Sequence, residues 1–202
     1  MAVHPVLTPK GERTRAKIVD TAAHLMLQNG VMATTIEDVC AAAGVGRSQI
    51  YHYFSGKPDL VRAVIDFQTG RVLDNQEPFL SHLDDWDTWY SWRDRIVQTQ
   101  RDLGCVGGCP LGSLANELSD SDELARRVLS KSFEKWEASF RQGIDRMIQK
   151  GILRADTDPG RLGAIMLGAL QGGLLLCQTR KDASSLETVL DGALDYLKSF
   201  SV

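Results

Sequence analysis

Between residues 47 and 57 the chain reads Arg-Ser-Gln-Ile-Tyr-His-Tyr-Phe-Ser-Gly-Lys. Donors and acceptors crowd around a single aliphatic residue, Ile50, which suits a surface that reads nucleic acid. An arginine fork matches the O6/N7 edge of guanine and a glutamine amide matches adenine, so Arg47 and Gln49 are candidates for base contact. Tyr51, His52, Tyr53 and Lys57 carry groups that hold phosphates, and Thr35 offers a hydroxyl and an N–H for the same purpose. For Tyr51 a second reading stands beside this one, in which the ring packs inside its own domain.

These side chains need a helix that fits a groove. The stretch Thr34 to Phe54 supplies two short helices and a tight turn. Thr35 with Asp38 makes a capping box at the first helix, and Thr34 with Glu37 repeats the pattern one residue earlier. Ile36, Val39 and Cys40 share a face, and Ala41 to Ala43 permit close approach of a neighbour. Gly44 ends that helix, and a second runs from about Gly46 to Tyr53. This is a helix-turn-helix, whose second helix enters the major groove of B-DNA. A preceding helix over about Pro9 to Asn29, with Ile18, Val19, Ala22, Ala23, Leu25 and Met26 on its inner side, completes a three-helix head. Residues 1–9 read as a loose arm. Arg13, Arg15 and Lys17 either reach the DNA backbone or form a solvated basic face.

The run AAAGVGRSQIYHYFSGKPDL resembles the signature of the TetR family of bacterial transcription repressors. The matching positions are Ala43, Gly44, Val45, Tyr51, Tyr53, Phe54, Lys57 and Leu60. The resemblance implies a small residue at Ser48 for close approach, repression rather than activation, and a dimer. It departs at Gly46, where the family has Ser or Thr, so no phosphate contact is carried over there. The string GCPLGSLANEL is similar to one branch of that family, with regulators of drug-efflux genes and regulators that sense electrophiles through a cysteine. The matching cysteine is Cys109.

Net charge is −3. Residues 1–62 hold seven basic and five acidic residues, and the remainder holds 16 and 21. The positive field therefore sits where phosphates would be met. Four cysteines suggest a reducing, cytoplasmic setting rather than a disulfide scaffold. No uncharged apolar run long enough to span a membrane is expected, nor a secretion signal.

Beyond the head the pattern stays helical. Pro58 opens a connector helix to about Asp74. A polar break to Asp87 follows, then a helix to about Leu103 carrying Trp86, Trp89 and Trp92. Gly104 to Gly112 is too glycine-rich for a helix, and a short helix is expected over Ser113 to Leu118. The longest helix runs from Ser121 to about Lys150, with Leu124, Val128, Phe133, Trp136, Phe140, Ile144 and Met147 as its buried stripe. Asp158-Pro159 opens an apolar helix, in which Gly168, Gly172 and Gly173 imply a close crossing. Ser184 with Glu187 caps the last one. The chain reads as all-α, about nine helices, with a head over residues 1–56 and a ligand-binding and dimerisation body over 57–202.

Trp89, Trp92, Cys109, Leu114, Phe133, Trp136 and Phe140 are the candidates to line a site for a small apolar or aromatic inducer, between the connector and the body helices. Each also reads as ordinary core. Leu167, Leu170, Leu174, Val189, Ala193 and Leu197 are expected at a homodimer interface built from the last two helices. Cys109, in a loop ahead of a helix start, is a candidate thiol sensor and the alternative switch. It also reads as an inert small hydrophobe. The four histidines are scattered, so no metal site and no cofactor is expected. No phosphate loop or nucleophile elbow is present, which argues against an enzyme. The expected partners are an operator duplex and an inducer.

Overall fold

The computed structural model describes residues 7–202. The described residues form an all-α chain. The helices are α1 (Pro9–Asn29), α2 (Ile36–Ala43), α3 (Arg47–Tyr53), α4 (Lys57–Asp74), α5 (Trp86–Asp102), α6 (Pro110–Leu118), α7 (Glu123–Gln149), α8 (Pro159–Arg180) and α9 (Ser184–Lys198). A 3₁₀ turn, Leu80–His82, interrupts the break before α5. The arm expected over residues 1–9 lies mostly outside the described residues, and Thr8 already caps α1 by accepting from the Gly11 N–H at 3.2 Å.

The head follows its local signals closely. Thr35 Oγ1 accepts from the Asp38 N–H at 3.1 Å, and the Asp38 carboxylate accepts from the Thr35 N–H at 2.8 Å. Both halves of the capping box are thus made. Thr34 is buried instead and donates to the Gly30 carbonyl at 2.8 Å. Gly44 sits at φ +63°, the left-handed conformation that closes a helix without a Cβ penalty. Ile18, Ala22, Val39, Ala43, Ile50 and Phe54 make the shared core of α1 to α3. Cys40 is only half-buried.

Several local expectations need correction. The helix placed at Ser113 begins at Pro110, because proline fits a first helical position and Cys109 Sγ accepts from the Gly112 N–H at 3.4 Å. Leu124 is exposed, and Val128 and Phe133 are only half-buried. The buried stripe of α7 runs Ala125, Leu129, Ser132, Trp136, Phe140, Ile144 and Met147. Ser184 does not cap α9. The Asp182 carboxylate accepts from its N–H at 3.0 Å, which covers the helix start from outside.

The chain forms two compact units, and they do not divide at residue 56. Among the described residues, one holds 7–69 and 114–129, the other 70–113 and 130–202. The head unit therefore takes in most of α4 and the segment joining α6 to α7. In the second unit α9 packs along α8 and against α5. A Cβ on Gly173 would stand 2.7 Å from Leu186 Cδ1, so glycine there permits the α8–α9 approach. Gly168 and Gly172 face open space. The uncharged run Leu162 to Thr179 makes α8 long and apolar enough to cross a membrane by length and composition, contrary to expectation. In this structure it is a partly buried helix of the second unit.

Candidate nucleic-acid interface

The outer side of α3 presents Arg47, Ser48, Gln49, Tyr51 and His52, all exposed, while Ile50 is fully buried beneath them. Tyr51 is 47% exposed, so the reading that packs its ring inside is ruled out. Tyr53 is half-buried, with its ring edge-on to His52 at 4.9 Å and its hydroxyl beside Gly11 of α1. Thr35 is exposed but its hydroxyl is engaged with Asp38. Lys57 donates from Nζ to the Met32 carbonyl at 3.1 Å, which ties the start of α4 to the α1–α2 turn.

Two of the base-reading candidates are already held. The Gln49 side-chain oxygen accepts from the Gly46 N–H at 3.0 Å, which leaves its NH₂ group for a base. Arg47 pairs with Glu37 of α2 at 2.9 Å, and its guanidinium lies over the Tyr51 ring at 5.7 Å. Its hydrogen bond to Tyr51 and the Glu37 charge raise its pKa further, so it stays cationic.

A shallow depression of about 360 Å³ beside α3 is lined by Lys10, Arg13, Thr14, Lys17, Gly44, Val45 and Gln49. Three cations and a glutamine along one wall form a positively charged strip next to α3. Lys10 and Thr14 escaped the sequence reading, although the spacing 10, 13, 14, 17 places all four on one helical face. Arg15, expected among them, instead lies over the Phe54 ring at 5.2 Å.

The head unit contains one further polar device. The Glu117 carboxylate, on α6, accepts from the Val31 N–H at 2.8 Å and the Met32 N–H at 2.7 Å. These are the backbone donors of the turn whose carbonyl receives Lys57.

The chain resembles known regulators along most of its length. Residues 18–64 match the profile of bacterial regulatory proteins of the tetR family. Residues 89–193 match that of the tetracyclin repressor-like C-terminal domain. The chain belongs to the TetR family. It is therefore a DNA-binding transcriptional regulator and not an enzyme. It is 26% identical over 183 residues to the HTH-type transcriptional regulator YxaF of Bacillus subtilis, covering 89% of this chain and 92% of that one. It is 24% identical over 186 residues to the HTH-type transcriptional repressor DhaR of Mycobacterium sp. strain GP1, covering 87% and 88%. A TetR transcriptional regulator from Chloroflexus aurantiacus superposes with a TM-score of 0.81 at 25% identity, over 96% of this chain and 98% of that one.

The second unit of this TetR-family chain sorts the expected inducer residues. Trp89, Trp92 and Phe140 are fully buried and touch one another at ring distances of 5.2–5.9 Å. Trp89 Nε1 donates to Met147 Sδ and Trp92 Nε1 to Gln76 Oε1. Satisfied in this way, they form core rather than a cavity wall. Trp136 differs, because its ring is buried and its Nε1 has no hydrogen-bond partner. Leu114 falls in the head unit.

Cys109 is 8% exposed, and burial pushes its thiol up. The expectation of an exposed thiolate favoured by a helix start is overturned, since desolvation outweighs the N–H bond from Gly112. Burial, then the adjacent Cys105 thiol, pushes Cys177 up to about 12. The six expected interface residues lie mostly inward within the subunit. Leu170 and Leu197 are fully buried, Leu167, Leu174 and Ala193 nearly so, and Val189 is half-buried. The side of α8 turned to solvent carries Ala164, Gly168, Gly172 and Leu175, the last 63% exposed, with Gly192 and Tyr196 exposed on α9. Among the described residues no three His, Cys, Asp or Glu side chains gather as a metal site.

Proposed function

We propose that this regulator is a dimeric repressor that sets α3 of each subunit into the major groove of one half of a near-palindromic operator. The observation that carries the reading is the outer side of α3 beside the basic strip of α1. One offers base-reading side chains and the other holds phosphates. The name of DhaR, a repressor, favours repression as the sign. The pairing surface is the small-residue side of α8 with its neighbours on α9. Gly168, Gly172 and Gly192 meet nothing inside the subunit and would let a second copy approach closely.

An apolar inducer with a hydrogen-bond acceptor suits the second unit, where the Trp136 N–H is a buried donor in want of a partner. Such an inducer releases DNA only if it binds one state of the protein better than the other. A reducing cytoplasm is the setting that suits buried, unpaired cysteines.

Selection from a random DNA pool tests the whole. Expected is a motif with two-fold symmetry. An absence of any preferred sequence at moderate salt would overturn the reading. Gly172→Arg on the pairing face should give a monomer by sedimentation with its helical content intact. A dimer that survives that substitution would remove α8 from the interface.

A further inference from the structure

Glu37 is an acid on the DNA-facing side of a DNA-binding head, which is electrostatically the wrong sign. Its carboxylate repels phosphates and adds nothing to the head's core, since its side chain is 59% exposed. The capping box of α2 does not use it either, because Thr35 and Asp38 make both of those hydrogen bonds. What it does contact is Arg47, the first residue of the recognition helix, at 2.9 Å. Glu37 and Arg47 line the same depression of about 390 Å³ with Cys40, Ala41, Gly44 and Val45. On its other side the Arg47 guanidinium meets the Tyr51 ring.

We infer that Glu37 is a specificity-determining residue that orients Arg47 for a guanine and denies it the phosphates. The inference rests on the reading that α3 enters the major groove. A guanidinium has five N–H donors, and a bidentate contact to guanine uses two. One face donor can stay on Glu37 while the fork points outward. A carboxylate on one side and an aromatic ring on the other bias the arginine toward one set of rotamers, so it loses less on meeting its base. Without Glu37 the long side chain can swing to the nearest phosphate oxygen, a contact available at every sequence. In water, an ion pair between side chains this exposed contributes little to stability. Its role is to lower affinity for the wrong sequences more than for the right one.

The test is selection from a random duplex pool with wild-type protein, Glu37→Gln and Arg47→Ala, followed by binding to the selected site and to unrelated DNA across a salt series. Wild type should show one guanine per half-site that disappears in Arg47→Ala. Glu37→Gln should bind unrelated DNA about 10-fold more tightly and lose most of the discrimination at that guanine. Its salt slope on unrelated DNA should steepen by about one, as for one added phosphate contact. If Glu37→Gln keeps the wild-type motif with unchanged affinity for unrelated DNA, Glu37 has no such role. If it binds every sequence more tightly by one common factor, Glu37 is only a repulsive charge, and the inference is overturned. If Arg47→Ala keeps the wild-type motif, the base contact itself is absent and the inference fails at its root. If wild type selects no motif, the groove reading has failed rather than this pair.

Discussion

The head and the second unit solve opposite problems with the same element type. In the head, α2 and α3 are short, hide a few aliphatic side chains and turn nearly every polar one outward, so that α3 has a single buried residue, Ile50. In the second unit, long helices bury three tryptophans, and polar atoms are drawn inside with them. Trp89 and Trp92 find partners in Met147 and Gln76, whereas Trp136 Nε1 does not. A surface that reads a polymer keeps its hydrogen-bonding groups wet until contact. In the second unit one donor stays dry without an acceptor, which is destabilising until something accepts from it.

That contrast can be broken most forcefully at the aromatic core. Trp92→Ala removes a fully buried ring and should lower stability by about 3–5 kcal/mol, read by chemical denaturation. A loss under about 1 kcal/mol would mean the ring is not packed as described. Next comes the clasp on the α1–α2 turn. Glu117→Ala strips two charge-assisted hydrogen bonds and should lower head stability by about 1.5–3 kcal/mol, with faster amide exchange at Val31 and Met32. Unchanged exchange at both amides would dissolve the clasp. Arg47→Ala should lower operator affinity by about 1–3 kcal/mol while leaving thermal stability within about 0.5 kcal/mol. An equal loss in both would make it a structural residue and blur the contrast.

Trp136→Phe removes the unpartnered donor and keeps most of the ring. It should weaken inducer binding about 10-fold with little change in unfolding, as one lost hydrogen bond of about 1.4 kcal/mol implies. Undiminished inducer affinity would leave the donor without a role. The smallest effect concerns Glu123, whose carboxyl is held down at about 2 by hydrogen bonds to Arg126 and Arg127. Its folded pKa lies below its unfolded value of about 4.3, so its contribution is present above that pH and is lost as pH falls toward 2. Glu123→Gln should therefore flatten the melting temperature slightly between pH 5 and pH 2. A curve parallel to wild type would remove the effect.

Legibility in the sequence followed the range of the interaction involved. The capping box at Thr35 and Asp38, the stop at Gly44, and the Asp158-Pro159 start are signals within a few residues, and each appears as read. The start of α6 was missed because Cys109 is an unusual cap, and the capping group of α9 was missed because Asp182 covers the helix start from outside. Which side of α8 turns to solvent was misjudged for a different reason. Along a helix as apolar as α8 both sides carry leucines and glycines, Gly173 and Leu170 inside and Gly172 and Leu175 outside, so residue type does not say which side is which.

The order of local rules along the chain was enough to establish helices and a reading head. Those depend on caps, turns and periodicity, whose energies are settled among near neighbours. Only the folded chain could show that Glu37 holds Arg47, that Glu117 grips a turn 85 residues away, and that Cys109 is dry. Contacts and desolvation of that kind depend on what distant segments bring to the same place, and no spacing within a short stretch encodes them.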